Sequence, residues 1–133
     1  MVDVELFGAE RARDAPPPAE VRRLCVLAAA SRGVVDGHVA VAFVDAERIA
    51  QLNGQHRGKP IATDVLSFPM DGVEPLAGAG PRELGDVVIC PEYTVDLREA
   101  IVHGVLHLVG MDHETDDGEM LALQRDLLAR ASR

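Results

Sequence analysis

The stretch His103-Gly104-Val105-Leu106-His107-Leu108-Val109-Gly110-Met111-Asp112-His113 holds three of the chain's five histidines, and their spacing decides what the rest of the fold must support. Residues four apart on a helix stand one turn above each other with Cβ atoms about 5–6 Å apart. His103 and His107 can therefore aim two imidazoles at one point. Gly110 then stops the helix, because glycine readily takes the left-handed conformation that closes a C-terminus. The turn made there can return His113 as a third nitrogen ligand. A structural zinc site is normally closed by four protein ligands, whereas three leave a position for water or substrate, which is the catalytic arrangement. The competing reading is a chance cluster of core or surface histidines. Ligand type, helical spacing and the stop signal together weigh against it.

The flanking residues Ala100, Ile101, Val102, Val105, Leu106, Leu108 and Val109 make this helix apolar nearly all round, so it is predicted to be the buried one. A glycine inside a helix costs about 1 kcal/mol relative to alanine. Gly104 is therefore expected to make room for another backbone or a substrate. Downstream, Asp116 and Glu119 predict a capping box for a last amphipathic helix packed through Leu121, Leu123, Leu127 and Leu128. Upstream, Leu84 to Cys90 reads as a strand apolar on both faces, hence inside a sheet, and Asp64 to Pro69 as another, stopped by its proline. Val4 and Leu6 alternate with Asp3 and Glu5 in a first strand, and His38 to Val44 forms a second. Pro16-Pro17-Pro18 opens a helix over Ala19 to Arg32 that Gly33 closes. Asp45 is expected to cap a short helix through Ile49 and Leu52, ended in the Gly54 region. Asp71 to Pro81, rich in Gly, Pro and Ala, reads as a loop.

The 133 residues suffice for one domain with a real core, 1–133, and are few for two. A composition of 47% hydrophobic and 26% charged residues is that of an ordinary globular protein. No apolar run approaches the ~20 residues of a membrane helix. The N-terminus lacks the basic start and apolar middle of a signal peptide, so a cytoplasmic location is expected. Cys25 and Cys90 lie in apolar stretches without a close-spaced motif and are read as buried thiols. A net charge of −9 argues against broad binding to nucleic acid. One segment, Arg48 to Thr63, carries no acid and contains Arg48, His56, Arg57 and Lys59. Solvated surface is the ordinary reading of such a cluster; anion binding is the functional one.

The histidine pattern is similar to the long metzincin motif of two helical histidines, a glycine and a third histidine, with Gly104 where that motif has its general-base glutamate. A wider set of motifs is more specific: Leu52-Asn53 with Arg57-Gly58-Lys59, Thr63-Asp64-Val65-Leu66-Ser67-Phe68-Pro69, Leu84-Gly85-Asp86-Val87-Val88-Ile89, and then the histidines. In that order they resemble the YbeY family of bacterial endoribonucleases and ribosomal RNA maturation factors. The resemblance covers about half the chain in close detail and the remainder in element order. It implies an α+β fold with a single mixed four-stranded sheet packed with helices and a metal site on a buried helix. It implies one zinc ion held by His103, His107 and His113, and action on single-stranded RNA, including the 3′ end of small-subunit 16S ribosomal RNA on the ribosome. No membrane or DNA partner is expected. Arg57 and His103 are expected to be catalytic, with Arg57 and Lys59 on the substrate; the attacking group is either water or an RNA 2′-hydroxyl.

Two positions depart from the family pattern. Met111 replaces the usual tyrosine, and the segment Pro91 to Val102 is shorter by roughly a helix. Asp112 is read either as orienting a ligand histidine or as plain surface, and Thr63 and Ser67 as possible donors to substrate. A zinc peptidase and a noncatalytic ribosome-associated module with a structural metal are the alternatives. Gly104 weakens the first and the open coordination position the second.

Overall fold

A computed structural model of the chain describes residues 2–70 and 82–132. Strand β1 (Val2–Phe7) leads through a short 3-10 turn to helix α1 (Pro18–Ala30), strand β2 (Gly37–Phe43) and helix α2 (Ala46–Arg57). Strands β3 (Val65–Pro69) and β4 (Glu83–Ile89) follow, then helices α3 (Leu97–Leu108) and α4 (Glu119–Ala131). The strands form one mixed sheet in the order β1-β2-β4-β3. The first three of these run parallel, while β3 is antiparallel to β4. This is the α+β architecture expected from the sequence. The loop read at Asp71 to Pro81 lies outside the described residues.

The position of β4 explains its composition. Val87 and Ile89 join the main core with α1, α3 and α4, whereas Val88 and Cys90 join a second cluster with Ile49 and Leu66 beneath α2. A strand sandwiched on both faces needs apolar residues at successive positions, not only at alternate ones. By contrast, Asp3 and Glu5 of β1 are exposed while Val2 is buried and Val4 half-buried, the alternation of a strand covered on one side. Cys25 and Cys90 are both buried and free, and burial pushes the Cys25 thiol up to about 12.

Two helix boundaries differ from expectation. Helix α2 does not end at Gly54 but runs to Arg57, and Gly58, at φ 71°, closes it with N–H bonds back to Asn53 and Gly54. Gly54 is there for space: a Cβ on it would stand 3.1 Å from Cβ of Pro60, in the turn that folds back over the helix. Buried Asn53 pins that turn, its Nδ2 donating to the Ile61 carbonyl at 3.0 Å. Much of the basic segment is thus helical. Helix α4 begins at Glu119, two residues later than a cap at Asp116 would place it, with Gly118 at the cap position. The reciprocal pair of a capping box does not form: Asp116 accepts from the Gly118 and Met120 amides and Glu119 from the Asp117 amide, so both carboxylates hold the turn before the helix instead. On α4 Leu127 is buried, but Leu121 is exposed and Gln124 turns inward instead.

Candidate metal centre

Helix α3 packs its buried face on β4, and that contact sets where the histidines stand. Gly104 has no room for a side chain: a Cβ there would collide with the γ-carbons of Val87, which is fully buried. The close approach is made against a strand side chain, not against a backbone or substrate. Ser67 of β3 ties the same point, its Oγ donating to the Gly104 carbonyl at 3.0 Å. The hydroxyl read as a possible substrate donor is thereby committed to the fold. Beyond α3, Gly110 takes φ 97°, and the amides of Gly110 and Met111 close the helix onto the carbonyls of His107 and Leu106. The reversed chain brings His113 to its partners, with ring centroids 4.9 Å from His103 and 5.2 Å from His107.

One ligand atom from each of the three histidines lies within 4.8 Å of the others. Their hydrogen bonds indicate which atoms are free. The Met111 carbonyl, 2.9 Å from His107 Nδ1, can only accept, so Nδ1 carries the proton and Nε2 keeps a lone pair. Gln124 Oε1 accepts from His103 Nδ1 at 2.8 Å in the same way. The two Nε2 atoms then face each other at 3.2 Å. Two lone pairs so placed repel unless a proton or a cation lies between them. Two nitrogens on a tetrahedral zinc with bonds of about 2.0–2.1 Å stand about 3.4 Å apart, close to the spacing found. His113 adds a buried Nδ1 with no hydrogen-bond partner, and an orphaned imidazole nitrogen is what a missing cation would leave. The His107 imidazole is held below its usual pKa, first by burial and then by His103. Neutral imidazole is the form that binds metal.

The histidines open into a cavity of about 650 Å³ walled by β3 and lined also by His56, Arg57, Asp112 and Glu114. Arg57 stands on the last turn of α2 and makes no ion pair with a described residue; His56 beside it packs on Phe68 at 4.5 Å. The structure therefore brings Arg57 together with His103, His107 and His113. Lys59 lies past Gly58 in the exposed turn and is not among the lining residues. Asp112 caps its own turn, its carboxylate accepting from the Glu114 amide at 2.9 Å, and it orients no histidine. Sequence reasoning missed Gln124, which does orient one. As a polar residue three before inward-facing Leu127 on an amphipathic helix, it broke the apolar stripe, and that break was the signal for it.

A mixed α+β sheet whose buried helix offers three convergent imidazoles that could hold a metal ion, above an arginine-bearing cleft, defines a class of protein, not yet a family. Comparison with known proteins narrows this: the family model described as Endoribonuclease YbeY matches residues 19–132, and the chain belongs to that family. Endoribonuclease YbeY of Geobacillus kaustophilus is 42% identical over 130 residues, covering 83% of this chain and 83% of the relative. The protein of the same description from Bacillus licheniformis is 39% identical over 132 residues, with 84% of each covered. The solution structure of TM1509 from Thermotoga maritima aligns over 96% of this chain and 88% of that chain at 24% identity, with a TM-score of 0.56, and shares the fold.

Proposed function

We infer that the chain is a metal-dependent endoribonuclease, specific for single strands, that matures the 3′ end of small-subunit ribosomal RNA in the cytoplasm. The observation that carries this reading is the pair of facing Nε2 lone pairs at 3.2 Å, opening into the cavity that Arg57 lines. His103, His107 and His113 are the residues that would hold one zinc ion. When bound, zinc supplies Lewis acidity toward a phosphoryl oxygen. Gln124 and the Met111 carbonyl fix the tautomers that present the lone pairs, as the outer partners of ligand histidines commonly do.

Arg57 supplies the fixed positive charge. Its guanidinium fork suits a phosphodiester bidentately and stays protonated throughout the reaction. The remaining walls come mainly from β3, including Val65, Leu66, Phe68 and Pro69. Lys59, in the turn after α2, would meet the strand outside the cleft. The peptidase alternative loses its footing at Gly104: the position of the protease glutamate faces Val87, where no side chain fits. The acid-free stretch Arg48 to Thr63 meanwhile supports a polyanionic substrate.

The test is incubation of zinc-loaded protein with single-stranded RNA, duplex RNA and casein, each with and without chelator. Cleavage of the single strand alone, abolished by chelator and by His107→Ala, is expected. Cleavage that survives chelation, or hydrolysis of casein instead, overturns the assignment.

A further inference from the structure

We propose that a second cavity, which shares His103 and His113 with the first but is not lined by Arg57, is a nucleobase subsite in which one base of the RNA strand stacks on Tyr93. The proposal rests on the endoribonuclease reading for its ligand. The cavity has a volume of about 450 Å³, and Asp64, Val65, His103 and His113 line both it and the larger one. The two therefore meet at the histidine centre. A strand whose phosphate lies between Arg57 and the histidines can lay its neighbouring base into the second cavity.

Three observations select a base as the occupant. Among the described residues seven large apolar side chains are exposed, and Tyr93, Val95 and Leu121 all belong to this one cavity. Tyr93 is 56% exposed and its ring stacks on no other described ring. Exposed aromatic and aliphatic surface next to a phosphate site suits the face of a base, which stacks whatever its identity. The charged residues of the lining apart from the histidines are all acidic, namely Asp64, Asp96 and Glu99, with no lysine or arginine. That repels a phosphate while offering acceptors to amino groups. Asp96 is committed to the first amides of α3, and Glu99, on the first turn, has no hydrogen-bond partner for its carboxylate among the described residues. Glu99 is the acceptor for the exocyclic amino group of cytosine, adenine or guanine, which uracil lacks.

The brevity of the connection between β4 and α3 exposes this surface. Only Cys90, a 3-10 turn, Pro91–Tyr93, and three further residues lead from β4 into Leu97. There is no length for a covering element, so Tyr93 and Val95 stand free beside the centre.

Tyr93 is the chain's sole tyrosine, and there is no tryptophan. Its ring resonances in an NMR spectrum of the zinc-loaded protein can thus be followed unambiguously during titration with CMP, UMP and inorganic phosphate, none of which has a phosphodiester to cut. CMP should shift the ring protons upfield to saturation, UMP should do so more weakly, and phosphate should leave them in place. Equal shifts with phosphate, or none with either nucleotide, overturn the proposal. In cleavage assays Tyr93→Ala should raise KM about 5- to 10-fold, the low end of a lost base stack, with kcat unchanged, and Tyr93→Phe should restore the wild-type KM. An unchanged KM in Tyr93→Ala also overturns it. Nucleotide-dependent shifts in a protein that cuts no RNA would sink the endoribonuclease reading and leave the subsite standing, and normal cleavage without shifts would do the reverse.

Discussion

Gly104→Ala should destabilise this protein, against the usual effect of that substitution in a helix. In an exposed helix interior, glycine to alanine gains about 1 kcal/mol. Here the new methyl would fall on the γ-carbons of Val87, fully buried on β4 and stiff at χ1 because it is β-branched. Overpacking of this kind costs about 1–3 kcal/mol, so the net loss should be about 1 kcal/mol, or a fall of roughly 3–4 °C in Tm for a chain of this size. The function should suffer differently from the metal. His103 and His107 ride on α3 and His113 follows directly from it, so a helix lifted from the sheet keeps its histidines together while moving them away from β3 and Arg57. Zinc content should stay near one per chain and RNA cleavage should fall. The double substitution Gly104→Ala with Val87→Ala should lose about 1 kcal/mol less than the sum of the singles, since the two side chains compete for one volume. Thermal denaturation with zinc analysis on the same preparations decides it. A Gly104→Ala protein with a raised Tm would show that the contact yields easily and that this glycine is not there for space.

Arg57→Ala should keep fold and zinc but lower cleavage of single-stranded RNA by about 10²-fold or more, the usual cost of losing an electrostatic donor in such a site; Arg57→Lys should recover only part, because lysine loses the bidentate fork. Gln124→Ala should weaken zinc affinity about 10- to 100-fold in a competition titration, by freeing the His103 tautomer, whereas wild-type affinity would make Gln124 a bystander. His38 bridges Glu83 at 2.8 Å and Glu5 at 2.7 Å, tying β4, β2 and β1, and its pKa is raised from 6.5, chiefly by the Glu83 hydrogen bond. The folded state thus favours the charged imidazole, so this bridge stabilises fully below pH 6.5 and is lost as pH rises through the elevated folded value. The gap in urea midpoint between wild type and His38→Gln should shrink from pH 6 to pH 9, and a constant gap would refute this.

What was legible in the sequence was whatever local chemistry fixes by itself. The i, i+4 histidines, the stop at Gly110, the both-sided apolarity of β4 and the Asp45 cap each need only neighbouring residues to be understood, and all are present in the structure. The misreadings came where a distant residue decides. Gly54 looked like a helix end because its partner, Pro60, packs against it only after the chain has turned. Ser67 looked like a free donor because the Gly104 carbonyl that it holds lies 37 positions away. Gln124 was passed over for the same reason: a buried glutamine is explained only by the imidazole it meets across the interface between α3 and α4.

The histidine helix alone does not choose a reaction, since the same spacing serves peptide and phosphodiester chemistry. What chooses is the surface to which the helix is pressed. In a peptidase the residue after the first histidine must reach the cleft as a base; here that position is turned into the sheet and sealed by Val87, so the helix contributes imidazoles and nothing else. Charge for the substrate must come from outside it. Helix α2, extended to Arg57 by the Gly58 cap, delivers a guanidinium to the cavity's edge. Asn53 secures the turn that follows and leads directly into β3, the opposite wall. One arginine held in place this way is compatible with a net charge of −9, because a strand gripped locally needs few cations, and few phosphate contacts imply weak salt dependence. On the proposed function, the acidic surface elsewhere works against indiscriminate binding and favours a single strand threaded between Arg57 and the histidines.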